Sequence, residues 1–201
     1  MRRSHHRSGE GGASLLELLF LLAGICLVLL VALPAFGNLR RRSAVRTAAI
    51  SLRSVFRETR GRAIARGRSF GVKFTRSAAG QWRYSIYEDS NGNGVLNSEI
   101  TRGVDPRVAG PFELQQGSDL ASIALPPQTI LDPDGDEIPA GHSPVIFNNS
   151  TLCSFSPLGA ATAGSIYITD NAGDLWVVRV HGAGSRVRLL RYDAARKRWH
   201  E

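Results

Sequence analysis

The strongest constraint on this chain is an apolar run with a single acid at its head. Residues 18–36 carry no charged side chain, and Glu17 stands immediately before them. As a helix these 19 residues reach about 30 Å, the hydrocarbon thickness of a bilayer. Arg2, Arg3 and Arg7 precede the run; Arg40, Arg41 and Arg42 follow it. With basic residues on both flanks, charge alone does not choose an orientation. An ordinary cleaved signal peptide fits poorly, because a cut after Ala35 places Leu33 and Pro34 where small residues are needed. A plain transmembrane anchor fits the length but leaves Glu17 unexplained. A carboxylate inside an apolar helix costs on the order of 2–3 kcal/mol at mid-bilayer, less near the interface, and such residues usually have a partner.

The net charge of +8 and the pI near 10.5 invite a nucleic-acid reading. The distribution weakens it. Residues 1–66 hold 12 of the 25 Lys and Arg against three acids, Glu10, Glu17 and Glu58. Residues 67–201 hold 13 bases against 14 acids. The excess charge therefore belongs to the N-terminal third. Cys26 lies in the apolar run and Cys153 far from it, so two free thiols are expected rather than a disulfide or a metal site.

Beyond the run the pattern stays helical to about residue 66. Val45, Ala49, Leu52, Phe56, Thr59 and Ala63 recur at steps of three and four, with arginines on the other face. A helix over residues 14–66 would be about 80 Å long. After Gly67 the texture changes to alternation. Residues 69–75 and 81–88 flank Ala78-Ala79-Gly80, a hairpin signal. Shorter strand-like runs fall at 112–115, 121–125 and 145–147. Runs at 164–169, 175–181 and 186–192, separated by glycine-containing turns, predict a three-stranded antiparallel meander. The fold class expected is α+β: a long N-terminal helix packed on antiparallel β-sheet.

Gly12-Ala13-Ser14-Leu15-Leu16-Glu17 resembles the processing site of type IV prepilins and pseudopilins. The resemblance implies cleavage by prepilin peptidase between Gly12 and Ala13, and methylation of the new terminus at Ala13. Glu17 becomes the fifth mature residue and, as in that family, pairs with the amine of a neighbouring subunit during assembly. A buried carboxylate and a buried ammonium are each expensive alone and tolerable together. Pro34 falls where these helices kink. Ala13 departs from the phenylalanine usual at that position. The stretches Phe155-Ser-Pro-Leu-Gly159, Gly164-Ser-Ile-Tyr-Ile-Thr-Asp170 and Gly184-Ser-Arg-Val-Arg188 are similar to the C-terminal part of the GspH/FimT family of minor pseudopilins and pilins.

What these resemblances imply is a leader over 1–12, a transmembrane helix over 13–36, a stem helix over 37–66 and a periplasmic β-rich domain over 67–201. The chain would sit in the bacterial inner membrane as a single-pass structural subunit of the type II secretion pseudopilus. Its partners would be other pseudopilins or pilins and the peptidase, with no cofactor. Two alternatives stay open: a FimT-like minor pilin binding DNA, and an unrelated anchored domain.

Three elements outside the N-terminus invite chemistry. Asp89, Asn91 and Asn93, followed by Gly94, match the first half of a calcium loop. Ile100 stands where a closing glutamate belongs, with Glu99 one residue early, and flanking helices are not expected. An Asn/Gly turn is therefore favoured, and the acidic cluster 132–137 reads as a solvated loop. Arg186 and Arg188 share one strand face, and two arginines so placed can grip phosphate or DNA; a solvated strand face is the plainer reading. The five histidines are scattered, and no nucleophile with a matching base emerges, so no enzymatic activity is expected.

Overall fold

A computed structural model describes residues 14–113 and 120–201, without the side chains of 31–35 and 38. Gly12 and Ala13 lie outside the described residues. Met1–Leu39 and Arg40–Glu201 are separate compact units.

Helix α1 runs over Leu15–Arg66. It starts where the Ser14 carbonyl accepts the amides of Glu17 and Leu18 at 2.9 and 3.1 Å. It ends at Gly67, whose φ of +63° is the left-handed turn that closes a helix. There the Gly67 amide donates to the Ile64 carbonyl and the Arg68 amide to the Ala63 carbonyl, the paired bonds of a Schellman cap. The stripe expected from periodicity is the buried face: Val45, Ala49, Leu52, Phe56, Thr59 and Ala63 are all fully buried. Thr59 is tolerated there because its hydroxyl donates to the Val55 carbonyl at 2.8 Å.

Two antiparallel sheets contribute to the same core. The first has the order β3-β2-β1-β8, from β1 (Phe70–Arg76), β2 (Trp82–Glu88), β3 (Arg107–Glu113) and β8 (Leu152–Phe155). The β1–β2 hairpin turns at the Ala78–Gly80 segment, as the sequence suggests. The second has the order β12-β11-β10-β9-β4, from β4 (Ser122–Ile123), β9 (Gly164–Thr169), β10 (Leu175–Val180), β11 (Val187–Asp193) and β12 (Arg198–His200). The expected meander is β9-β10-β11. On the other edge of β9, β4 pairs with Ile168 and Thr169, while β7 (Val145–Phe147) pairs with residues from Gly164 to Ile166. A small ribbon joins β5 (Ile130–Leu131) to β6 (Glu137–Ile138).

Alternation along β9 and β10 sends side chains to two cores. Ile166, Ile168, Val178 and Val180 join the helix stripe and Phe70, Val72 and Phe74 of β1. Tyr167, Leu175 and Val177 face the opposite way, onto Ile130 and Ile138 of the ribbon, with Trp199 packed alongside. Burial from both sides is why β9 reads as a nearly continuous apolar run. Phe56 sits among Phe74, Phe147 and Phe155, with ring centroids 5.9–6.2 Å away.

Candidate functional site

The N-terminal end of α1 buries none of its described apolar side chains. Leu15 is 84% exposed and Leu30 73%, and Leu18, Leu19, Phe20, Leu21, Leu22 and Val28 between them are exposed as well. A helix apolar on every side is not a stable surface in water and needs lipid or other helices around it. Glu17 falls in the first turn, where the helix dipole favours a carboxylate. Pro34 lies inside α1. Among the described residues no helix is long and apolar enough to cross a membrane. The uncharged stretch with described side chains, residues 18–30, gives 13 residues or about 20 Å of helix, short of a 30 Å core. The transmembrane segment expected over 13–36 also needs residues 31–35, whose side chains are not described.

The loop between β2 and β3 is more built than a plain turn. Asp89 is buried, and its carboxylate accepts the amides of Asn91, Gly92 and Gly94 at 3.1, 2.8 and 2.7 Å. Asp105 is buried too and accepts the amides of Ser90 and Leu96. A short helix, α2 (Asn97–Arg102), follows the loop, contrary to the expectation of no flanking helix. Its first turn carries Glu99 back over the loop, where Oε1 accepts from the side-chain amides of Asn91 and Asn93 at 3.1 and 2.9 Å. In linear spacing Glu99 comes one residue early, and the helical turn after Leu96 brings it to the two asparagines. Among the described residues no three His, Cys, Asp or Glu side chains form a metal-ligand group.

The acidic cluster at 132–137 is largely exposed, as expected of a solvated loop: Asp134, Asp136 and Glu137 face solvent and Asp132 is half-buried. It is the turn of the β5–β6 ribbon. Asp132 accepts the amides of Asp134 and Asp136 at 2.8 and 2.9 Å. Asp132 and Asp134 both pair with Arg179 of β10, at 3.3 Å in the case of Asp132, and Arg179 also donates to the Ser165 hydroxyl at 2.9 Å. Asp132 and Asp134 thereby tie the ribbon to the second sheet.

Arg186 and Arg188 flank buried Val187, as the alternation requires. Arg186 is exposed, while Arg188 pairs with Glu201 and stands opposite Arg179 in the β10–β11 register. Arg188 first, then Arg186, holds the Glu201 carboxyl below its ordinary range. Partial burial first, then Arg179, Arg188 and Arg186, lowers the pKa of His181. Arg191 pairs with buried Asp174 at 2.7 Å. These arginines mostly satisfy acids of their own chain, so a twin-arginine phosphate grip is not preformed.

Ser185, which stands between Gly184 and Arg186, has a structural role that the sequence does not reveal. It is buried at φ +48°, and its hydroxyl donates to the Gly159 carbonyl. The Ala161 amide donates to the Gly182 carbonyl at 2.9 Å beside it. Segments 155–159 and 182–188, distant in sequence, are thereby joined next to β9. Gly164 is required for another reason: a Cβ there would lie 2.2 Å from the Ile146 carbonyl oxygen of β7. Cys26 and Cys153 are both free, and burial pushes the Cys153 thiol well up.

The fold defines the class: an α+β protein in which an N-terminal helix packs on an antiparallel β-sheet domain. A family model described as type II transport protein GspH matches residues 48–184, more than half of the chain, and the chain belongs to that family. The match covers the stem helix from Ala48 onward and the sheets up to the turn before Arg186; the apolar N-terminal segment and the Arg186–Arg188 pair lie outside it. No curated protein and no solved structure matches the chain.

Proposed function

We propose that this protein is a minor pseudopilin, a structural rather than catalytic subunit of the type II secretion pseudopilus. Its N-terminal helix inserts in the bacterial inner membrane with the β-rich domain in the periplasm. Prepilin peptidase cuts between Gly12 and Ala13, and Ala13 is methylated. The processed chain then assembles with other pseudopilins through that helix, Glu17 pairing with a neighbour's terminal amine and Pro34 giving the helix a point of bending. The observation that carries this reading is the contrast within α1. The stem stripe is fully buried on its own sheets, while the apolar side chains from Leu15 to Leu30 have no cover of their own. Membership of the GspH family supplies the type II transport context.

Glu17→Ala tests it. The variant should be expressed and cleaved but fail to co-assemble with partner pseudopilins, and normal assembly would refute the pairing. Mass spectrometry of the mature terminus should find methylated Ala13; an intact leader would exclude both the pseudopilin and the pilin reading. A gel-shift with the full chain in detergent separates DNA uptake from secretion, and salt-sensitive retardation lost on Arg186→Ala would favour the former.

A further inference from the structure

The 89–105 loop has an electrostatic imbalance that the assembly reading does not use. Asp89, Glu99 and Asp105 are 2%, 6% and 1% exposed, three carboxylates buried within one loop. Among the described residues the cation paired with one of these carboxylates is Arg102, 3.7 Å from Glu99 Oε1 and itself 65% exposed. Removing ionised carboxylates from water costs several kcal/mol each unless charge or hydrogen bonds replace it. Asp89 and Asp105 are compensated by backbone amides. Glu99 is compensated on one side only: its Oε2 is buried and has no hydrogen-bond partner. Its carboxylate is held over the loop by Asn91 and Asn93.

We propose that this loop is a calcium site, formed by the side chains of Asp89, Asn91, Asn93 and Glu99. Every donor is oxygen, which selects a hard cation over zinc, and the irregular loop suits calcium's six to eight flexible ligands better than magnesium's strict octahedron. Two carboxylates and two side-chain amides form a site of this kind without a third acid, water completing the shell. The oxygen and nitrogen of a side-chain amide exchange places by a half-turn. Asn91 and Asn93, which now turn their NH₂ groups to Glu99, present Oδ1 to an ion placed between them. Glu99 Oε2 then gains the partner it lacks. The site bears on the fold because the loop is packed against β1. Val95 is buried and in contact range of Gly71, Lys73 donates to Asn97 at 2.7 Å, and Arg68 just beyond α1 donates to the Asp89 carbonyl. Calcium would fasten α2 to the first sheet. The proposal is independent of the pseudopilus reading, since it concerns only the folded loop.

The test is calorimetric titration of the full-length protein in detergent micelles, stripped with EGTA, with calcium chloride and in parallel with magnesium chloride. One calcium per chain is expected, with a dissociation constant of about 0.1–1 mM, the range of extracellular calcium modules. Magnesium should give no comparable heat. Calcium should also slow hydrogen exchange at the amides of Asn91, Gly92 and Gly94. Glu99→Gln should weaken binding about tenfold or more, since losing even an outer-shell partner of a metal ligand costs about 10–100-fold. If Glu99→Gln does not fold, Asn93→Ala, at an exposed position, should weaken binding in the same direction. No heat and no protection at about 5 mM calcium, well above that range, overturns the proposal. So does wild-type affinity in whichever of the two variants folds.

Discussion

Phe56→Ala probes the point at which α1 and both sheets meet. Phe56 is fully buried, and its three aromatic neighbours come from different elements: Phe74 on β1 and Phe155 on β8 in the first sheet, Phe147 on β7 in the second. Truncating a buried phenylalanine costs about 3–5 kcal/mol, and the value depends on how far the site can collapse. Here collapse is restricted, because backbone hydrogen bonds in two separate sheets fix the three neighbouring rings. Edge-to-face and tilted ring pairs add about 0.5–1.5 kcal/mol each beyond area. The expected loss is therefore in the upper part of the range, about 4–5 kcal/mol. For a unit of this size each kcal/mol lowers Tm by about 2–4 °C, so a fall of roughly 8–20 °C is expected. With a urea slope of about 2 kcal/mol/M the midpoint should fall by about 2 M at unchanged slope. Circular dichroism of the full chain in detergent reads both. Ile64→Ala is the control on the same helix: its side chain is 51% exposed, and the loss should stay below about 1 kcal/mol. A Phe56→Ala loss under about 1.5 kcal/mol, or one equal to the control, would refute a core centred on this ring.

Two glycines should respond with opposite signs. Gly164→Ala drives a Cβ into the Ile146 carbonyl and Phe147 and should cost about 1–3 kcal/mol, read as a lower urea midpoint. Gly61→Ala meets nothing within 4 Å in the exposed face of α1 and should gain about 0.5–1 kcal/mol. Cys153 supplies a chemical readout. Its thiol is buried and its pKa is raised, so the reactive thiolate is scarce at about pH 8. In a Cys26→Ser background, iodoacetamide should leave the native protein unmodified and label it fully in denaturant. Fast native labelling would show that β8 opens readily.

Local chemistry is legible in the order of residues alone. The helical stripe from Val45 to Ala63 and the end of α1 at Arg66 follow from a period and a cap that involve only neighbours along the chain. The β1–β2 hairpin and the β9–β11 meander follow from alternation and short turns, which are equally local. So does the special standing of Glu17, a lone acid at the head of an apolar run. None of this predicts what depends on long-range pairing. β8 joins β1 across some 80 residues, and the two-residue strands β4, β5 and β6 are too short to show a period at all. Glu99 is out of place when spacing is counted along a line, whereas α2 wraps the chain and delivers it to Asn91 and Asn93. The 132–137 turn is exposed as its composition suggests, but the pairing of Asp132 and Asp134 with Arg179 is not legible, because that arginine is some 45 residues away in sequence. By itself the sequence determined a helix with an apolar head, a helix face to be buried and a β-rich remainder, since hydrophobic periodicity is a property of adjacent residues. Only the tertiary structure decided that two sheets share that helix face, that the C-terminal arginines are mostly spent on their own acids, and that three carboxylates are buried in one loop. Those outcomes depend on which distant segments exclude water together, and that is settled when the chain packs.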